Sequence, residues 1–165
     1  MATSRKVRRL ALCASVLTLG LTLPTTANGS PADTTSTATA ITPSGRSGDP
    51  QSAVDHVADF YGTYIDALYD SGRGRLTDAL RRHYLTADAR HSLARWEAAH
   101  HKDGVLRANG VPARWTVVYN DSGMGHCWTR VTLTWKDPGH DTRHTHLMVQ
   151  SDLATRLISG IRAGE

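Results

Sequence analysis

The chain carries nine histidines, and three of them fall within one short stretch, His140-Asp141-x-x-His144-x-His146. Imidazole binds metals through a ring nitrogen and titrates near neutrality. On a strand, His144 and His146 share one face about 7 Å apart, a spacing at which one ion can be held. His126 is expected on the same face of the neighbouring strand, so His126, His144 and His146 form a candidate three-imidazole site. Zinc would suit it, with positions left open for water or a ligand. No Asp or Glu clearly joins that face, and Arg130 on it would repel a cation. The competing reading is a solvated or dimer-forming outer sheet face.

Other reactive residues are less well placed. Cys127 adjoins His126, but neighbours on a strand point to opposite faces, so the imidazole cannot readily activate the thiol. Cys127 instead shares its face with Val131 and Leu133, as a buried, inert thiol would. Glu97 and His101 are four apart on a helix, a spacing that more often stabilises an exposed face than builds an acid–base pair. Arg73, Arg75, Arg81 and Arg82 form a basic run, read as a solvated face or an anion site. His56 and Asp59 are the nearest candidates for proton transfer, though neither sits squarely on an apolar stripe. With no aligned nucleophile or acid–base set, the reading leans away from an enzyme.

The elements that position these residues change type midway. Asp49 can cap a first helix with Pro50 at its first position; Val54, Val57, Tyr61, Tyr64, Ile65 and Leu68 then recur at helical spacing up to Gly72. A second helix fits Leu76 to Tyr84, with Leu76, Leu80 and Tyr84 on one side. Thr86 caps a third, where Ala89, Leu93, Trp96 and His100 share a face and Gly104 stops the run. After Gly110 and Pro112 the period becomes two. Trp115, Val117 and Tyr119 form one face of a strand, and Asn120 to Gly123 a turn. From His126 to Trp135, Cys127, Val131, Leu133 and Trp135 point inward. Asp137-Pro138-Gly139 leads to Thr142–Gln150, with Leu147 and Val149 inward. A last strand spans Thr155 to Arg162, with Leu157 and Ile161 toward the core. Helices ahead of an antiparallel meander predict an α+β domain, its helices on one face of a curved sheet.

Phe60-Tyr61-x-x-Tyr64, Tyr84-Leu85-Thr86, the Trp128–Trp135 strand and the closing Arg156-Leu157-Ile158-Ser159-Gly160-Ile161 resemble the nuclear transport factor 2-like superfamily. The likeness runs from about Val54 to Arg162 and looks closest to small exported bacterial members. It implies a cone-shaped α+β fold with a cavity between helices and sheet. Superfamily members include isomerases, dehydratases and cyclases as well as plain binding domains, so it implies no particular reaction. In such a cone Tyr61, Tyr64, Trp96 and Trp115 become candidate pocket residues, each with an apolar body and a polar handle. The bland alternative is that each is simply core.

The first residues read as an address. Arg5, Lys6, Arg8 and Arg9 precede an apolar run from Leu10 to Leu23, then Pro24 and Thr25-Thr26-Ala27. This is the pattern of a secretory signal, cut after Ala27. About 14 apolar residues fall short of the roughly 20 that cross a bilayer. Cys13 fits a lipoprotein site poorly because Leu12 precedes it, and Arg8-Arg9 fits twin-arginine export poorly beside Val7 and Ala11. Cleavage removes four of the nineteen basic residues and no acidic one, leaving fifteen of each sign. The basic balance of the whole chain therefore belongs to the leader, and nucleic acid is not an expected partner. Cys13 leaves too, so Cys127 has no intrachain disulfide partner.

Residues 28–50, rich in Thr, Ser, Ala, Pro and Gly, are expected to be a disordered linker, and 51–165 one domain. The expected whole is a secreted binding or interaction module without a cofactor and without stable membrane insertion after cleavage. Its expected partner is a small apolar ligand or another protein, and homodimerisation through the outer sheet face is conceivable. The alternatives are a small-molecule isomerase, dehydratase or hydrolase of the same fold, or a histidine-based metal binder.

Overall fold

The computed structural model describes residues 45–136, 139 and 141–164. The expected signal peptide, and the expected linker as far as residue 44, lie outside them. Three helices are followed by a four-stranded antiparallel sheet, in an α+β arrangement. Among the described residues no helix is long and apolar enough to cross a membrane.

Helix α1 spans Ala53–Ser71 and buries Val57, Phe60, Tyr61, Tyr64 and Ile65, a stripe at three- and four-residue spacing. Its cap is Ser52, whose hydroxyl accepts the Asp55 N–H at 3.2 Å, not the expected Asp49. The Asp49 carboxylate accepts the Gln51 N–H at 2.8 Å, making a local turn that delays the helix. Of the expected linker, residues 45–50 touch the domain: Arg46 pairs with Asp59 at 2.5 Å, and Arg156 donates to the Pro50 carbonyl at 2.8 Å.

Helix α2, Arg75–Tyr84, keeps part of the expected face, since Leu80 and Tyr84 pack against the core. Thr77 and Arg81 are its buried residues, while Leu76 is 55% exposed. Two carboxylates on neighbouring elements draw Arg81 inward, and in so short a helix that interaction outweighs one leucine. Helix α3, Ala87–His100, begins as expected at Thr86, whose hydroxyl accepts the Ala89 N–H at 3.2 Å. It ends at His101, in a left-handed conformation at φ 53, before Gly104 is reached. Gly104 has another purpose. Its N–H donates to Glu97 Oε1 at 2.7 Å, and a Cβ there would come within 3.0 Å of the same oxygen.

The sheet is a simple meander of β1 (Arg114–Gly123), β2 (His126–Trp135), β3 (Arg143–Asp152) and β4 (Ile158–Ala163). Strand β2 alternates as the sequence predicts, with Cys127, Val131, Leu133 and Trp135 buried. The β1–β2 turn differs from expectation. It lies at Met124-Gly125, both at positive φ (51 and 80), the backbone of a tight two-residue hairpin. Asn120 to Gly123 therefore extend β1, with a register irregularity between Tyr119 and Asp121. Tyr119 is not core, for it and Val118 are 56% and 51% exposed. Strand β4 starts at Ile158, later than expected, because Asp152 Oδ1 accepts from both the N–H and the hydroxyl of Thr155 and holds that residue in a turn. Between α3 and β1, Val105 and Leu106 are fully buried, so this connection fills the core.

Candidate functional site

The central polar feature lies beneath the helices. Tyr64 on α1 donates its phenol hydrogen to Asp103 Oδ2 at 2.7 Å. Arg81 on α2 donates to the same phenol oxygen, to Asp103 Oδ2 at 3.0 Å and to Glu97 Oε1 on α3 at 2.8 Å. Asp103 Oδ1 accepts the Val105 and Leu106 N–H groups at 2.8 and 3.0 Å, which seats the buried connection. Two carboxylates face one buried guanidinium. Arg73, half-exposed between α1 and α2, supplies the second positive charge at 3.2 Å from Glu97. Desolvated charges persist only when paired and hydrogen-bonded, and here they are.

The electrostatics follow from that pairing. Burial works against the Glu97 charge, but hydrogen bonds from Arg81, Gly104 and Arg73 hold its carboxyl below its ordinary value. Burial also works against the Arg81 charge, and Glu97, Tyr64 and Asp103 outweigh it, raising that pKa. The Tyr64 phenol is pushed upward, by burial first and then by the Asp103 charge. Glu97 and Arg81 are thus each held in the charged form and Tyr64 in the neutral one, an arrangement suited to holding shape and field in place.

A pocket of about 440 Å³ opens beside it, where the C-terminal ends of α1 and α3 meet the 101–113 connection. Leu68 and Val111 give it apolar wall, Glu97 and Asp103 fixed negative charge, and Arg73 and Lys102 positive charge. The sequence singles out Arg73, Arg81, Glu97 and His101, but as a basic run and a helical pair apart from one another, and it gives no sign of Asp103 or of the pocket.

The expected pocket aromatics are elsewhere, for none of the four lines this cavity. Tyr61 and Tyr64 are fully buried core, Tyr61 donating to the Val105 carbonyl at 3.2 Å. Trp96 stacks on His100 at 4.2 Å, with the Arg107 guanidinium 4.2 Å from its ring centre. Trp115 packs against Gly62 of α1 and carries Arg46 over its ring at 5.3 Å.

The histidine site is also corrected. The β2–β3 register sets His144 opposite Thr134 and His146 opposite Thr132, but His126 opposite Asp152. His126 is six to eight residues away along β2, roughly 20–27 Å at strand rise, too far to share an ion with the pair. Among the described residues no group of three or more His, Cys, Asp or Glu side chains could hold a metal. His144 and His146 are exposed and meet Thr134 and Thr132 hydroxyls at 3.2 and 3.1 Å; His140 lies outside the described residues.

Cys127 is buried, and burial raises its thiol pKa. The Glu97–His101 side-chain pair does not form, since Glu97 turns to Arg81 and Gly104. His56 packs at a tilt against Tyr84, ring centres 4.6 Å apart, its pKa lowered by burial, then by His83 and Arg156, while exposed Asp59 pairs with Arg46.

Three antiparallel-sheet-packed helices in this order define the class at the level of fold, an α+β domain. A crystal structure of a protein of unknown function from Bacteroides thetaiotaomicron is similar, with a TM-score of 0.55 and 20% identity over 67% of this chain and 88% of that one. At that identity the likeness concerns the fold alone. No family model matches the chain, and no curated protein matches it.

Proposed function

We propose that the chain is an exported binding module whose small ligand occupies the pocket at the C-terminal ends of α1 and α3. The observation that carries this reading is the pairing of the pocket's buried charges. Arg81, Glu97 and Asp103 are committed to one another, to Tyr64 and to backbone N–H groups, which suits a rigid wall better than an acid–base pair. A pocket of this size with apolar wall and a few convergent polar groups is an ordinary small-molecule site. Its ligand would place an apolar portion against Leu68 and Val111 and a polar group at Arg73.

The order of helices followed by a meander supports the cone-shaped reading implied by the nuclear transport factor 2-like resemblance. The n-region and apolar run before Ala27 support export, and the exposed His144–His146 face of the sheet is the surface through which the domain would pair with a second copy.

An amide chemical-shift screen with a small-fragment library tests the ligand site. Fragments that bind should shift Gly72, Gly110 and Val111, and a pocket-filling Val111→Trp should abolish those shifts. Fragments that perturb other surfaces only, or shifts that survive Val111→Trp, would overturn the assignment.

A further inference from the structure

A second hollow, of about 230 Å³, lies between α2 and α3 and is lined by Asp78, Arg81, Arg82 and Arg90. Its three guanidinium groups are not equivalent. Arg81 is committed to Glu97 and Asp103, whereas Arg82 and Arg90 have no ion-pair partner among the described residues. Arg90 Nε is buried from water and has no hydrogen-bond acceptor. A desolvated guanidinium N–H without an acceptor is costly, and in native proteins such a group usually meets a water or an ion.

Arginine donors arrive here from two helices, Arg82 from the last turn of α2 and Arg90 from near the start of α3. A flat carboxylate saturates one guanidinium fork, while a tetrahedral oxyanion offers acceptors in several directions. We propose that the α2–α3 cleft binds a tetrahedral oxyanion, phosphate or sulfate, either free or as the terminal group of an ester. The hollow is larger than a bare anion and open on one side, so the body of an ester can project outward. Among the described residues Asp78 is the one carboxylate lining it, and it opposes the anion. Arg81, which lines this hollow, also bonds Glu97 and Asp103 in the wall of the pocket of the proposed function, but Arg82 and Arg90 line this hollow alone.

The test is titration of the purified protein with inorganic phosphate at constant ionic strength, followed by melting temperature and calorimetry, with sodium chloride as control. Phosphate should raise the melting temperature above the chloride control. Arg82→Gln and Arg90→Gln should each weaken binding about tenfold, the scale of one lost charge-assisted hydrogen bond. Asp78→Asn should tighten it. Arg82 is exposed, so its variant keeps the test decisive if Arg90→Gln fails to fold. Phenyl phosphate binding more tightly than phosphate would assign the site to an ester, and equal binding to the free anion. No effect beyond chloride, or binding unchanged by Arg82→Gln, would overturn the proposal.

Discussion

The histidine and threonine face of the sheet and the charge cluster beneath the helices are built from equally polar side chains, but only the second is taken out of water. His144 and His146 stand exposed on β3, each touching one threonine hydroxyl. Arg81 and Asp103 are each 8% exposed, and their polar atoms are met by four elements of the chain. In the first region each group has water as an alternative partner, so no single contact matters much. In the second every group depends on the others, and the connection from His101 to Ala113 depends on them all. A residue's chemical type therefore says less about its role than the dielectric in which it sits.

The sharpest way to break this contrast is Asp103→Ala. It takes one of the two carboxylates from Arg81, which keeps Glu97, and leaves the Tyr64 hydroxyl and the Val105 and Leu106 N–H groups without their acceptor. Urea denaturation should show a loss of about 3–5 kcal/mol, the scale of breaking a buried polar network. A loss below about 1 kcal/mol would place the cluster on a par with surface ion pairs. Tyr64→Phe removes one hydrogen-bonding group and keeps the ring, so a smaller loss, about 1–3 kcal/mol, should follow.

His56 offers a pH test of an intermediate environment. Its pKa is lowered in the folded state, so the unfolded chain binds the proton more readily. The stability this neutral imidazole contributes is full above the ordinary histidine value and is lost as pH falls from there through the folded value. Melting temperatures taken from neutral to mildly acidic pH should fall less steeply in His56→Leu than in wild type; parallel slopes would contradict the assignment. At the small end, His144→Ala and His146→Ala should each change stability by no more than about 0.5 kcal/mol in chemical denaturation.

Reading the sequence succeeded where one local rule decided the outcome. The alternation of β2 requires only that one face be buried, and Thr86 is a cap by its own side chain, so both were legible. Which residues of β3 sit beside which of β2 is a question of register. Alternation assigns His126, His144 and His146 to a side of the sheet without saying that His126 lies at the far end. Helix α2 is legible only in part, with Leu80 and Tyr84 on the core and Leu76 off it, for a different reason. Leu76 and Leu80 define an apolar edge locally, but Arg81 answers to Glu97 and Asp103, 16 and 22 residues further on. The stretch after His101 carries no periodic signal, and the burial of Val105 and Leu106 goes with hydrogen bonds from their N–H groups to Asp103. Of the four aromatics, Tyr61 and Tyr64 fill the core and Trp115 packs at its edge, and the cavity opens beside the charges instead.

The central claim, that this cluster is fixed charge shaping a binding pocket, rests most directly on the protonation of Glu97. Side-chain carboxyl carbon shifts followed by NMR across a pH titration measure it in the intact fold. The account predicts a Glu97 signal that is flat through neutrality and bends only below the ordinary glutamate range. A Glu97 carboxyl titrating between about pH 5 and pH 8, as a working acid or base would, contradicts it.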